Sequence, residues 1–401
     1  MSASGSNTNW RRNQAAVTVA TFIGFTGFTL VMPFLPLYLK QLGERDTAAI
    51  AIWSGLSLGV TPLVTAIMTP VWARLAKRTG HKLMVARSLL SFVVIMTLMA
   101  WVTHPWQVFA LRCIQGLFAG YGPLAMMLAA ESAPEEHMAT AIGWVQTSQR
   151  LGPALGPVIG GALAAAVGIR GAFYVSALFY LAAFLFVLVG FQEPPRVRAA
   201  AVEPPTTFTL SYFRAMPYFV TAMIAVFALQ LVDRSFGPVL PLYLGEVGVS
   251  NAQVPFLTGL IFTIAAASAA VGNQMTGWCL ARVPAPTLLP ACAAIAGAGA
   301  IVYGLGPSVA VLAVAAIPFG LAMGIGTTAV YTDVGRRIGA DERTFAFGYL
   351  QTAYLLGLAV SPVVAGFIGA RSMRAVFYVD AIGLAGLAWF VRSRMSVAET
   401  R

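Results

Sequence analysis

The 401-residue sequence predicts an all-α membrane protein: twelve transmembrane helices arranged as two pseudo-symmetric six-helix bundles. Three observations carry that expectation. The chain is 58% hydrophobic and only 10% charged, against roughly 25% charged residues in soluble domains. Twelve apolar runs approach the ~20 residues needed to cross the hydrocarbon; they lie at about 14–39, 47–71, 82–103, 106–130, 139–166, 172–191, 217–244, 253–276, 286–305, 308–331, 343–369 and 374–393. Finally, the second half of the chain repeats the first at an offset of 205 residues.

The repeat is clearest in two places. Gly143, Gln146, Thr147, Leu151, Gly152, Pro157, Val158 and Gly161 recur in register at Gly348, Gln351, Thr352, Leu356, Gly357, Pro362, Val363 and Gly366. Pro33, Leu35, Pro36, Leu37, Tyr38, Leu39 and Gly43 recur as Pro238, Leu240, Pro241, Leu242, Tyr243, Leu244 and Gly248. With a one-residue slip, Phe173-Tyr174-Val175 maps onto Phe377-Tyr378-Val379. Two similar apolar bundles facing each other are how many secondary transporters are built, with the site at the repeat interface.

Six runs precede residue 192 and six follow residue 216, giving an N-terminal bundle over 1–192, a linker over 193–215 and a C-terminal bundle over 216–401. The linker carries two Pro-Pro pairs and alternating charge, which marks it as irregular. Arg11-Arg12 precede a first run too long for a cleaved h-region, so that helix is expected to be retained as a span.

The net charge of +11 invites a nucleic-acid reading, so its placement decides. With both ends on the cytoplasmic side, 17 Lys/Arg fall on cytoplasmic segments, 5 on outer segments and 3 within spans. That asymmetry is the positive-inside rule, and no nucleic-acid partner is expected. Cys113, Cys279 and Cys292 lie within or at the edge of spans, with no disulfide framework and no metal spacing. His81, His104 and His137 lie near membrane edges, and neither an H-E-x-x-H motif nor paired intramembrane aspartates occur, which argues against an intramembrane enzyme. No cofactor is implied, and no soluble signalling domain accompanies the spans.

Charges inside spans point to function. Arg112 on span 4, Arg150 on span 5, and Asp233 and Arg234 on span 7 each sit well within apolar runs. A central Arg or Asp costs about 2.5–3.5 kcal/mol on insertion scales, so such residues face a bundle interior or a water-filled cavity. Three arginines cannot all be neutralised by one aspartate, so some positive charge should face water or an anionic ligand. Asp233 reads as the only carboxylate deep in any span, with Asp380 near the outer end of span 12 and Glu131 and Asp333 at inner ends. An aspartate alternating between apolar surroundings and an arginine could take up a proton on one side and release it on the other. Adjacent helical residues point ~100° apart, so Asp233 is expected to pair with Arg112 or Arg150 across the interface rather than with Arg234. Gln230, one turn earlier, could bond either residue of the pair.

Span 5 has two faces. Gly152, Gly156 and Gly160 form one stripe where a neighbouring helix can approach closely. Arg150 and Gln146 lie roughly opposite. The expected cavity lining is Arg150, Gln115, Gln146, Gln149, Gln230, Arg234, Phe28 and Met32, since methionine and aromatic side chains adapt to varied apolar ligands. Pro33, Pro36, Pro238 and Pro241 favour kinks toward the outer ends of spans 1 and 7.

These residues resemble the major facilitator superfamily, in particular its twelve-span drug:proton antiporter branch. Gly152-x-x-x-Gly156-Pro157-x-x-Gly160-Gly161 matches the branch signature G-x-x-x-G-P-x-x-G-G at every fixed position. Arg112-x-x-Gln115-Gly116 resembles the R-x-x-Q-G motif, whose arginine the family associates with proton coupling, and Glu131-x-x-Pro134 resembles the acidic-to-proline loop. The loop after span 2 departs from G-x-L-A-D-R-x-G-R-K: it reads Ala73-Arg74-Leu75-Ala76-Lys77-Arg78-Thr79-Gly80-His81-Lys82. Lys77 thus reverses the charge of the family's gating aspartate, and Glu131 is a candidate partner for Lys77 or Arg78 in a cytoplasmic gate with Gly80 and Lys82. The resemblance implies a multi-pass bacterial inner-membrane protein, working as a monomer with cytoplasmic termini. It would export small amphipathic or apolar molecules against protons, with Arg112 in proton coupling; because no carboxylate lies deep in the first half, where some relatives carry one, Asp233 is the expected proton carrier here. A carrier of one endogenous metabolite, anionic to suit Arg112, Arg150 and Arg234, is the other transport reading.

Overall fold

The computed structural model describes residues 5–134, 137–192, 216–306, 308–338 and 340–395, and every regular element among them is helical. The linker expected at 193–215 lies outside the described residues. Span 1 is Gly5–Val31, continued through the tight turn Met32–Phe34 into Leu35–Gln41. Spans 2 and 3 are Thr47–Thr79 and His81–Met99. Spans 7 to 12 are Pro217–Glu246, Val254–Leu280, Ala285–Leu305, Val309–Arg337, Ala340–Gly369 and Met373–Met395.

The remaining spans show where helix number and span number part. Ten helices are long and apolar enough to cross a membrane among the described residues. One stretch, Thr140–Gly190, has 51 residues, about 75 Å of helix, which exceeds one crossing more than twofold. It belongs to the helix Met138–Leu185, which reverses at Gly168, whose φ of 75° is open to glycine at little cost. Spans 5 and 6 are its two arms. Span 4 is also discontinuous: Pro105–Phe118 and Tyr121–Ser132 are separated at Ala119 and Gly120, the latter at φ 122°.

A helix broken inside a membrane leaves carbonyls that water cannot reach, so the protein must satisfy them. Trp72 Nε1 donates to the Leu117 carbonyl at 2.6 Å, Ser88 Oγ to that of Phe118 at 2.8 Å, and Arg87 Nη2 to Phe118 at 3.2 Å. The Arg87 guanidinium stacks 3.5 Å from the Trp72 ring centre. Arg87 lies six residues into span 3 and turns its head into this break. Lys82 does comparable work, donating from Nζ to the Leu188 and Phe191 carbonyls at 2.9 and 2.6 Å, where span 6 ends.

Each half has its own apolar core, one built from Val17 to Phe191 and the other mainly from Phe219 to Val391. The sequence repeat is a repeat of contacts. Tyr38 donates to the Met99 carbonyl at 2.5 Å and packs on Phe173; its counterpart Tyr243 donates to the Tyr303 carbonyl at 2.9 Å and packs on Phe377. Both tyrosines are fully buried, and each ties an outer helix end to its neighbour.

Candidate functional site

The first and last described helices end on one face, called here the terminal side; the turn at Gly168 lies on the opposite, far side. Span 5 packs its glycine stripe on span 1: a methyl group added at Gly152 would meet the Thr26 amide at 2.8 Å, at Gly156 the Thr29 side chain, and at Gly160 the Leu30 carbonyl. The expected close approach is therefore met by backbone.

The two halves meet through a second set of close approaches, paired by the repeat. Gly161 lies against Pro255 and Phe256 of span 8, and Gly259 against Pro157. Gly366 lies against Ala51 and Gly55 of span 2, and Gly59 against Ala359. The Val158 amide donates to Thr263 Oγ1 across the same seam at 3.2 Å. All of these lie toward the far side. On the terminal-side portions of spans 5, 8 and 11, a methyl added at Gly143, Gly277 or Gly348 meets nothing within 4 Å. The halves are sealed on the far side and part toward the terminal side. Gly259→Val is accordingly expected to wedge the seam and raise labelling of an introduced Thr263→Cys by a far-side thiol reagent several-fold. Unchanged labelling would show that the seam does not depend on this contact.

Of the charges inside spans, Arg150, Asp233 and Arg234 are partly or largely exposed, whereas Arg112 is buried within the N-terminal half. Asp233 Oδ2 and Arg234 Nε are 3.1 Å apart, with side chains 30% and 46% exposed in the middle of span 7. Tyr354 of span 11 lies beside Arg234. Charged groups this exposed at membrane depth need a water-filled gap rather than lipid. The sequence expectation that Asp233 would seek Arg112 or Arg150 is corrected here. The arginine side chain has enough torsional freedom to fold back on its neighbour, whereas the distant arginines are held by other groups. Gln230 is buried and its Oε1 has no hydrogen-bond partner, so it bonds neither member of the pair through that atom.

Arg112 is 1% exposed. Its Nε donates to the Ser57 carbonyl at 3.0 Å and its Nη1 to Gln115 Oε1 at 2.5 Å, with the Phe28 ring 5.7 Å away. No carboxylate pairs with it among the described residues. Gln115 is fully buried and its Nε2 has no partner. Met32 is buried. Arg150 stays exposed. With the Asn273 amide turned to satisfy its neighbours, Arg150 Nη1 donates to Asn273 Oδ1 at 3.1 Å, while Asn273 Nδ2 donates to Thr328 Oγ1 and the Gly324 carbonyl at 2.9 and 2.8 Å. Arg150 thus reaches from span 5 to spans 8 and 10. Gln149 Nε2 donates to the Gly122 carbonyl at 3.0 Å, just past the break in span 4, and Gln146 is exposed beside Met126.

At the terminal side, Glu131 pairs with His81 Nδ1 at 2.7 Å, a partner that the sequence did not single out. His81 opens span 3 and Glu131 closes span 4, so the pair ties those two helix ends together. Gly80 takes a φ of 100° at the sharp turn into span 3, and Arg78 is exposed. The Lys77 side chain lies outside the described residues.

Sequence reasoning missed one buried carboxyl. Asp380 is 4% exposed and accepts or shares a hydrogen bond with Ser235 Oγ at 2.5 Å. Its signal was present, an aspartate inside the apolar run AVFYVDAIGL, but nearness to the outer end of span 12 set it aside.

Two repeated six-span bundles, joined along one side and parted along the other around half-exposed charges, define a secondary transporter. A profile of the Major Facilitator Superfamily matches residues 17–285 and 222–399. The chain belongs to that superfamily and is a multi-pass membrane protein. It is 30% identical over 387 residues to the multidrug resistance protein MdtG of Enterobacter lignolyticus, covering 95% of this chain and 92% of that one. It is 33% identical over 281 residues to the protein of the same name from Salmonella arizonae, covering 69% of each chain. Among solved structures, a bacterial homolog of the human lysosomal transporter Spinster, inward-facing and unoccupied, superposes with a TM-score of 0.75 at 16% identity over 97% of this chain and 95% of that one. The nucleoside transporter NupG superposes with a TM-score of 0.74 at 14% identity over 95% of this chain and 99% of that one. These likenesses carry the fold.

Proposed function

We propose that this protein is a proton-driven exporter of small amphipathic or apolar molecules, of multidrug type, working by alternating access as a monomer in a bacterial inner membrane. The observation that carries the reading is the Asp233–Arg234 pair, half exposed at mid-membrane where the halves part. An ion pair there can open when Asp233 takes a proton, freeing Arg234 and changing the field in the cavity. Arg112, buried without a counter-ion, biases that field and is assigned with Asp233 to proton coupling. Gln115, Gln146, Gln149, Arg150, Gln230, Phe28 and Met32 are assigned to the cavity, and Arg78, Gly80, Lys82, Lys77 and Glu131 to the gate. Relatives named as multidrug resistance proteins support the substrate class. One proton crossing the membrane contributes about 2.3 kcal/mol per 100 mV, enough for accumulation of tens of times.

Everted membrane vesicles test this reading. Adding a lipophilic compound to which the protein confers resistance is expected to dissipate a preformed proton gradient, and Asp233→Asn to abolish that response. A strain showing no altered susceptibility to any cationic, neutral or anionic compound, with vesicles showing no gradient response, would sink it. One observation favours a second reading: among the described residues Arg112 has no carboxylate partner and Arg150 reaches a neutral amide, so positive charge is available to an anionic metabolite. Loss of protection confined to anionic compounds in Arg112→Ala would select it.

The charge asymmetry assigns the terminal side to the cytoplasm. A fluorescent protein fused after residue 401 is therefore expected to fluoresce, and alkaline phosphatase fused there to be inactive. The reverse pair of results would invert the topology.

A further inference from the structure

We propose that Asp380 is a second proton-binding carboxyl of the C-terminal bundle, holding its proton against Ser235 while the far side is sealed and releasing it when span 7 moves. The inference rests on the proton-driven reading above and stands on hydrogen-bond accounting. Ser235 Oγ lies 2.8 Å from the Val232 carbonyl and 2.5 Å from Asp380 Oδ2. A serine hydroxyl has one proton to donate. Spent on Val232, it leaves two oxygens 2.5 Å apart that need a proton between them, and the carboxylic acid supplies it. Spent instead on Asp380, it leaves an ionised carboxylate with one hydrogen bond and, among the described residues, no ion-pair partner. A buried charge left in that condition is expensive. The acid form lets Ser235 keep its bond to Val232 and places a proton between the two close oxygens without burying a charge.

No countercharge pairs with Asp380 among the described residues. The titratable groups on the spans packed against it are Cys292 and Tyr303 on span 9, and Asp233, Arg234 and Tyr243 near it on span 7. Tyr354 on span 11, and Arg374 and Tyr378 on span 12 itself, complete the set near its level. Asp380 forms a hydrogen bond or ion pair with none of them. Ser235 directly follows the Asp233–Arg234 pair, so a shift of span 7 moves both sites at once. Pro238 makes that shift easier, because it cannot bond the Arg234 carbonyl one turn back. Release breaks the carboxyl O–H bond and passes the proton to water, leaving a carboxylate; no other reactant is needed.

The full-length protein in liposomes gives two readouts. By infrared difference spectroscopy across an alkaline pH step, the wild type is expected to lose a carboxylic-acid C=O band that is absent from Asp380→Asn and displaced in Ser235→Ala. With ethidium as the transported probe, Asp380→Asn should lose uphill, proton-driven accumulation by at least about tenfold, while one charge at 100 mV is worth about fiftyfold. Its ethidium exchange without a gradient should stay near wild type, a split that a merely structural role would not produce. Uphill transport at the wild-type level in Asp380→Asn, or equal loss of both activities in a folded variant, overturns the inference. So does an acid band that Ser235→Ala leaves in place or that ignores the pH step. If wild-type protein moves ethidium in neither assay, it is the export reading that fails, and the infrared titration still decides Asp380. Should Asp380→Asn fail to fold, Ser235→Ala keeps the carboxyl and decides alone through the band.

Discussion

Gly160→Ala is expected to cost the protein its fold, or most of its stability, through one added methyl group. The new carbon would fall on the Leu30 carbonyl of span 1, with the Leu30 backbone next behind it. Backbone cannot rotate away as a side chain can, so spans 1 and 5 must separate. Overpacking a filled core typically costs about 1–3 kcal/mol, and a clash with main chain lies at or above the top of that range. The measurement is thermal unfolding and monodispersity of the purified protein in detergent. Gly143→Ala is the control, because a methyl there meets nothing within 4 Å. If the two variants melted alike, close packing of spans 1 and 5 would not be what the glycine stripe provides.

Arg112→Met is expected to give a folded, less stable protein that has lost proton-driven export by at least an order of magnitude. The substitution keeps the bulk of the side chain and removes the charge together with its bonds to Ser57 and Gln115. Each charge-assisted bond contributes about 1.5–3 kcal/mol, so a fall in melting temperature should accompany the loss. Arg112→Lys keeps the charge on a more compact head that cannot reproduce the planar fork, and should retain part of the export. Export rates in vesicles, normalised to folded protein, check both variants. Full export by Arg112→Met would reduce Arg112 to a fastener between spans 2 and 4.

The parts of this protein that were legible in its sequence are those set by local composition and period. Apolar length and sparse charge declared the spans, and the 205-residue echo declared two bundles. The echo was also physically accurate, since Tyr38 and Tyr243 occupy matching hydrogen bonds. The stripe at Gly152, Gly156 and Gly160 announced a close helix contact correctly, because spacing along one helix fixes which residues share a face.

What the tertiary structure alone decided is who meets whom. Asp233 turned to its own neighbour Arg234, Glu131 to His81 and Arg87 to the broken end of span 4. Asp380, set aside for its position near a helix end, proved buried against span 7. The physical reason is common to all four. A sequence specifies the period of a helix, but the rotation and depth of that helix against its neighbours come from packing of the whole bundle. The reach of a long side chain then selects among partners that packing has placed nearby.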